Sequence, residues 1–400
     1  MAKVKAICFN SVISPSVNLL LMENKASLFT EFPSISKEEW LAKVEKDLKG
    51  RSIAELDWEP EAGIKISPFF HVQDQKKPAT TGDHREQNHW EIGQYIPLTD
   101  AKTANLRTLS ALNGGVNAPR FALESQLTVP ALTQLFEGIV PSYISTHFSF
   151  LKPDIDPVAL WQAFQLFLQQ NDIPLAQIKG SFAYDPLAHH NDINPLLALL
   201  SGREAPYFQF VTLAAEAEMG TVEALADLIL RGQTYLSKLQ DQGIAPSQTQ
   251  AHLQFSIVLG DHFFMEIAKI RALRLLWLNV LHAYQVEPIA PSIVAHTKAP
   301  QSGEDPYLHM IRSATQSMSA VIGGAQRLYV APADYQQATH ESRFADNPDF
   351  GPRIARNVQH LLQMESFLDR VIDPAAGSYY IEHLSEQLAV KAWEIFQAKV

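Results

Sequence analysis

Apolar residues recur along this chain in two alternating rhythms. From Asp100 onward, short runs rich in β-branched and aromatic residues alternate with longer stretches whose apolar positions fall every three to four residues. That alternation predicts strands separated by helices, and so a parallel sheet. The strands read from it are Arg120–Leu123, Tyr143–Phe150, Ile178–Ala183, Tyr207–Leu213, Leu253–Leu259, Ser292–Ala295, Arg327–Val330 and Arg370–Ile372. Helical stripes lie between them: Val158, Trp161, Phe164 and Leu168; Val222, Leu225, Leu228, Ile229 and Leu236; Phe263, Ile267, Ile270, Leu273, Trp277 and Val280; Leu308, Ile311, Met318 and Ile322. Asp305 followed by Pro306 marks a helix start, because aspartate caps exposed N–H groups and proline has none to satisfy. The last repeat, Gly351–Phe396, reads as a helix, a short strand at Arg370–Ile372, a tight turn over Asp373–Ser378 and a second helix. Eight β/α units over about 300 residues suit a closed (β/α)8 TIM barrel, class α/β, better than an open doubly wound sheet.

Before residue 100 the pattern differs. Residues 1–25 hold no helical or strand period and read as a flexible N-terminal extension. Lys3 and Lys5 precede an apolar run there, but Asn10, Pro15 and Asn18 interrupt it, which does not suit a secretory signal. Residues 26–99 read as an N-terminal arm, helical and then irregular, packing on the barrel or on a partner subunit. Ser36 with Glu39 three residues on is a capping box, and Trp40, Val44 and Leu48 form the apolar stripe that follows. Beyond it, isolated aromatics (Trp58, Phe69, Phe70, Trp90, Tyr95) stand among Pro, Asp and Gln, as anchors of an irregular segment would. The barrel is then assigned to residues 100–400.

Composition narrows the function. With 46% hydrophobic residues the chain can bury a large core, and a formal charge of −11 with scattered Lys and Arg argues against a nucleic-acid partner. Cys8 is the only cysteine, which removes intrachain disulfides and suits a reducing, cytoplasmic setting. No apolar run is long enough to span a bilayer. His189-His190-Asn191-Asp192 has metal-ligand letters without ligand spacing, and Gly114-Gly115 and Gly323-Gly324 read as helix C-caps. Strand alternation leaves the barrel axis with two readings. Either Ser145, His147 and Ser149 point inward with Ser181, Gln254 and Ser256, leaving room for a tunnel, or the bulky set Ile144, Thr146, Phe148 and Phe150 plugs the axis.

Three stretches then carry a resemblance: FFMEIAKIRALRLLW (Phe263–Trp277), GPRIARNVQHLLQMES (Gly351–Ser366) and RVIDPAAGSYYIEHLSEQLAVKAWEIFQ (Arg370–Gln397). They resemble the barrel domain of coenzyme-B12-dependent methylmalonyl-CoA mutase, and LFTEFPSISKEEWLAKVEKDLKG resembles the opening of that family's small subunit. The resemblance implies an isomerase that interconverts methylmalonyl-CoA and succinyl-CoA with adenosylcobalamin, working as a heterodimer of a catalytic large subunit and a non-catalytic small one. In the family's W-x-I-R-Q-Y motif the arginine and tyrosine touch substrate. Here the stretch is Trp90-Glu91-Ile92-Gly93-Gln94-Tyr95, so Tyr95 stays and Gly93 replaces the cation. The family's catalytic histidine in S-G-Y-H meets Ala215 at the end of Thr212-Leu213-Ala214-Ala215, read as the close of the fourth strand. His296, read as the close of the sixth, does match, and Lys298 follows where the catalytic subunit has glutamine. Alanine and glycine can neither donate a proton nor fork onto a carboxylate, so the resemblance implies a chain inactive alone, with Tyr95 and His296 as vestiges. The family's cobalt-ligating D-x-H-x-x-G does not occur, so the cofactor would belong to the complex; acyl-CoA stays a possible ligand of this chain. The alternative reading is an adenosylcobalamin-dependent acyl-CoA mutase active in its own right.

Overall fold

The computed structural model describes residues 35–61, 63–74, 85–190, 192–200, 205–215, 219–287, 289–301, 303–334 and 349–400. The extension assigned to residues 1–25 lies outside them. Nine parallel strand segments form one sheet, and two of them, Phe208–Gln209 and Val211–Ala214, are halves of a single strand broken at Phe210, which leaves eight strands. In chain order these are β1 (Glu91–Leu98), β2 (Ala118–Leu123), β3 (Ser145–Phe150), β4 (Lys179–Ala183), β5 (Phe208–Gln209 and Val211–Ala214), β6 (Leu253–Val258), β7 (Ser292–His296) and β8 (Arg327–Tyr329). Each pairs with its sequence neighbour, and β8 returns to β1 through Arg327 opposite Glu91 and Tyr329 opposite Gly93. The first half of β5 pairs with β4 and the second half with β6, so the ring closes through the break. Phe208 and Phe210 both pack on Trp161 of the helix Pro157–Gln170, while Thr212 points the other way onto Gln254. One residue is extra at the break, as in a bulge, and it resets which face the second half presents. The barrel expected from the hydrophobic pattern is the fold of this chain.

One strand of the eight differs from the sequence reading. Arg370–Ile372 is not a strand but a series of bends, flanked by Phe367 and Asp373 with φ of 52° and 49°, which turn the backbone away from an extended path. The missing place is taken by β1, eight residues long, in a stretch read above as irregular arm. Its outward positions, Ile92, Gln94, Ile96 and Leu98, alternate as a strand requires, but Gly93 and Pro97 between them resemble loop punctuation. Because β1 opens the ring, the stretch ending at Ala215 closes the fifth strand rather than the fourth, and His296 closes the seventh rather than the sixth.

Bulky side chains of the strands face outward to the helices. Phe121, Phe148, Phe182 and Phe255 are fully buried there, each within 6 Å or so of another aromatic ring. The long helix Phe263–Ala283 is buried on most of its faces because helices Pro306–Gly323 and Tyr379–Lys399 cover it. Within it Arg271 reaches the carboxylates of Asp373 and Glu382, which pins the Asp373 turn against the barrel. The Asp373–Ser378 stretch is therefore a turn held by an ion cluster. Helix Pro306–Gly323 starts as expected, with the Asp305 carboxylate accepting from Tyr307 N at 2.8 Å, and Gly324 caps its end with φ 90°. Its stripe faces the other way, however: Leu308, Ile311 and Met318 are exposed, and the buried face carries His309, Ser313, Gln316 and Ser317. Those polar groups bond backbone carbonyls, including His309 Nε2 with Ala331 O and Gln316 Nε2 with Leu259 O, so a polar face is packed without orphaned groups.

Part of the arm lies on the same barrel. Ser36 and Glu39 form the capping box of helix Lys37–Asp47, whose Trp40 meets Phe69 edge-on with centroids 5.6 Å apart. The hairpin of Trp58–Glu61 with Ile64–Ile66 buries Ile64 and Ile66 completely. Its Glu61 accepts from the N–H groups of Thr221 and Val222 at 3.1 and 2.9 Å, so the arm caps helix Thr221–Asp241, whose own N-cap residue is Gly220. A carboxylate there also meets the positive end of the helix dipole.

Candidate functional site

Side chains from strands that are not neighbours in a ring can touch only across its axis. By that test the inward set is polar. Arg327 of β8 donates to Glu91 Oε2 of β1 at 2.6 Å and to Gln254 Oε1 of β6 at 3.2 Å, skipping β7. Ser145 of β3 donates to Glu91, skipping β2, and Tyr95 Oη of β1 lies 2.8 Å from His296 Nδ1 of β7, skipping β8. His147 Nδ1 bonds Ser181 Oγ at 2.8 Å, and Ser256 Oγ lies 3.0 Å from His296 Nε2. Ser149, nearer the rim, donates to Phe121 O at 3.3 Å. All six serine, histidine and glutamine positions picked out on the strand faces are thus accounted for, joined by Glu91, Thr212 and three residues the sequence reading passed over: Arg120, Arg327 and Tyr329.

The bulky set of Ile144, Thr146, Phe148 and Phe150 does not plug the axis, since Phe148 packs outward on Phe164. The polar faces point inward, yet no tunnel follows, because the inward residues that went unread are large and fill the middle. Tyr329 is 1% exposed and stacks on His296 at 12° with ring centroids 5.1 Å apart, and its ring lies 5.0 Å from that of Tyr95. A Cβ built on Gly93 would stand 2.6 Å from the Tyr329 ring and 2.8 Å from Leu328 O. Where the motif would place an arginine, the barrel holds the face of a tyrosine. Ala215 follows the last residue of β5 and is half-buried, with no group beyond its methyl.

Arg120 occupies the rim. Its guanidinium sits over the rings of Tyr95 at 5.4 Å and Tyr329 at 5.7 Å, and Nη1 is 3.5 Å from His296 Nε2. An arginine only donates, so its approach favours the tautomer in which His296 Nε2 accepts and Nδ1 carries the proton toward Tyr95 Oη. The sequence signal for Arg120 and Arg327 was their phase: each stands on an inward position beside small or polar neighbours. Burial pushes the pKa of His147 well down, with Arg327 and then Arg120 adding to it, and His296 is pushed down likewise by burial, then Arg120, then Arg327. Both rings are neutral in the fold. A histidine whose folded pKa is depressed lends stability above its ordinary value near 6.5 and loses it as pH falls below that value. Each should contribute a slope of about 1.4 kcal/mol per pH unit just below that value. Urea midpoints should therefore fall steeply from pH 7 to 5, and His147→Gln should flatten the slope; an unchanged slope would contradict a neutral His147.

His189 and His190 end the helix Pro186–His190, and among the described residues no cluster of three His, Cys, Asp or Glu could hold a metal ion. No helix among them is long and apolar enough to cross a membrane.

These features define a (β/α)8 barrel with a polar, side-chain-filled axis and, among the described residues, the guanidinium of Arg120 toward its rim. The chain belongs to the methylmalonyl-CoA mutase family: residues 204–399 match the family model described as methylmalonyl-CoA mutase. It is 31% identical to the methylmalonyl-CoA mutase small subunit of Porphyromonas gingivalis over 94% of this chain and 64% of that one. In Streptomyces virginiae it is similar to both subunits, 28% identical to the small one, covering 94% of this chain and 65% of that one, and 26% identical to the large one, covering 90% and 56%. The chain thus spans somewhat under two thirds of the length of these curated relatives.

Proposed function

We propose that this chain is the barrel of a small, non-catalytic mutase subunit that supports a catalytic large subunit in a heterodimer. In this reading the complex interconverts methylmalonyl-CoA and succinyl-CoA in the cytoplasm with adenosylcobalamin, and the partner carries out the chemistry. The observation that carries it is the axis: Tyr329 lies against Gly93, where the motif's arginine would need room, and Ala215 offers no proton where the motif has histidine. Groups of that kind act only at the reacting centre and commonly contribute a hundredfold or more each, about 3 kcal/mol.

The residues here do not fit a cobalt ligand. His147 and His296 are 1% and 7% exposed; His296 has both ring nitrogens committed to hydroxyls within the axis, and His147 has Nδ1 committed to Ser181. No chemistry of the cofactor is assigned to this chain.

The second reading, an acyl-CoA mutase active by itself, draws support from Arg120, which returns a cation to the side of Tyr95 and His296. Co-expression with a large subunit, sizing, and a mutase assay of each component with adenosylcobalamin separate the two. The proposal expects co-elution and no turnover from this chain alone. Cobalamin-dependent turnover by the purified chain would favour the second reading, and failure to co-elute with any mutase large subunit would count against the first.

A further inference from the structure

We propose that the C-terminal mouth of the barrel binds a small free anion, a carboxylate or a phosphate group, on the guanidinium of Arg120. This goes beyond the subunit assignment and does not depend on it. Arg120 comes from β2, which contributes nothing to the motif stretches above. Among the described residues no carboxylate pairs with Arg120, whereas Arg327, deeper on the axis, is matched by Glu91 at 2.6 Å. Among the described residues the axis therefore holds two guanidinium groups and one carboxylate, with His147 and His296 neutral, and the surplus charge sits toward the rim.

Half-burying a cation without an acceptor is costly, and a guanidinium fork matches a planar carboxylate or a phosphate edge. Only Nη1 of Arg120 meets a protein acceptor among the described residues, His296 Nε2 at 3.5 Å, which is too long to be strong. The rings of Tyr95 and Tyr329 support the flat underside of the group at 5.4 and 5.7 Å, which leaves its edge without a strong acceptor among the described residues.

A second observation points the same way. Tyr329, 1% exposed, has a hydroxyl with no hydrogen-bond partner, and so does Nε2 of His147, also 1% exposed. The two rings are 6.5 Å apart and perpendicular, just beneath Arg120, which pairs in register with His147. Buried polar groups are rarely left unmade: a small oxyanion would accept from the Tyr329 hydroxyl, and a water it orders can serve His147 Nε2 as donor or acceptor.

The filled axis sets the size of the ligand. With Tyr329 against Gly93 the middle of the barrel is closed, so a group can sit on the rim but a long acyl chain cannot thread below it. Lys298, two residues beyond His296 at the end of β7, is half-buried with no ion pair among the described residues, and it adds positive charge at the same end.

Calorimetric titration with malonate, and separately with inorganic phosphate, tests this at ionic strength held constant with chloride. One anion per chain is expected, with the stronger of the two naming the ligand class. Arg120→Gln should weaken binding at least about tenfold, and Arg120→Lys less, since it keeps the charge and loses the fork. Arg353→Gln, on an outer helix, should bind as the parent does. Should Arg120→Gln fail to fold, protection of Arg120 from phenylglyoxal by the bound anion, read by peptide mass spectrometry on the unaltered chain, gives the same answer. Undiminished binding by Arg120→Gln, no saturable binding of either anion, an absence of protection, or binding of acyl-CoA alone would each overturn the proposal.

Discussion

Gly93→Arg is expected to cost the fold more than about 3 kcal/mol and not to restore a substrate anchor. The reason lies in the first side-chain atom, before any guanidinium is reached. A Cβ at this position would sit 2.6 Å from two carbons of the Tyr329 ring and 2.8 Å from the carbonyl oxygen of Leu328. The ring can move only at the cost of its stacking on His296. The carbonyl belongs to β8 and cannot retreat without opening the β1 and β8 pairing that closes the barrel. Gly93→Ala should already cost about 1–3 kcal/mol, and adding Tyr329→Leu should recover only the part owed to the ring. Urea midpoints of the three variants measure this, and a Gly93→Arg chain as stable as the parent would show that the axis has room after all. The same geometry bears on function, because a motif position that tolerates no Cβ cannot regain its arginine by one substitution.

The ring of strands was legible because seven of its members, β5 with its break included, are short apolar runs bounded by helical stripes. The eighth was read in the wrong place for a physical reason. Arg370–Ile372 has β-branched residues but lies between two backbone positions of positive φ, whereas β1 has the right alternation hidden by Gly93 and Pro97. Helix Pro306–Gly323 shows a related limit of periodicity. Its apolar stripe was real, but hydrogen bonds from His309 and Gln316 to loop carbonyls decide which face turns inward. In the site, Tyr95, His296 and the serine positions could be found from strand phase and motif. Arg120, Arg327 and Tyr329 could not be weighed in the same way, since a long side chain on an inward position fills an axis only if the opposite strands leave it space, and that is settled by small residues such as Gly93 far away in sequence.

Arg271→Met should be the most damaging change outside the axis, with a loss of about 3–5 kcal/mol, because it leaves two carboxylates without their partner. Arg271 is 1% exposed and reaches Asp373 and Glu382, whose side chains are 16% and 9% exposed. The cluster joins helix Phe263–Ala283 to the turn before helix Tyr379–Lys399, and Gly377 N also donates to Glu382 at 3.0 Å. Its pH dependence distinguishes a lost charge partner from lost packing. Burial raises the pKa of Asp373 above its ordinary 3.8, with Arg271 opposing the rise. A carboxyl raised in this way lends stability below its unfolded value and loses it as pH climbs through the folded one. Removing Arg271 takes away the largest opposing influence, so the folded value rises further and the penalty at neutral pH grows. The deficit of Arg271→Met against the parent should therefore be largest near pH 7 and shrink as pH falls toward 4 and Asp373 takes up its proton. Adding Asp373→Asn and Glu382→Gln to the variant should return part of the loss at pH 7 and little at pH 4. A deficit that stays constant over that range would mean that Arg271 acts by filling space, and that the turn before the last helix is held by shape rather than by charge.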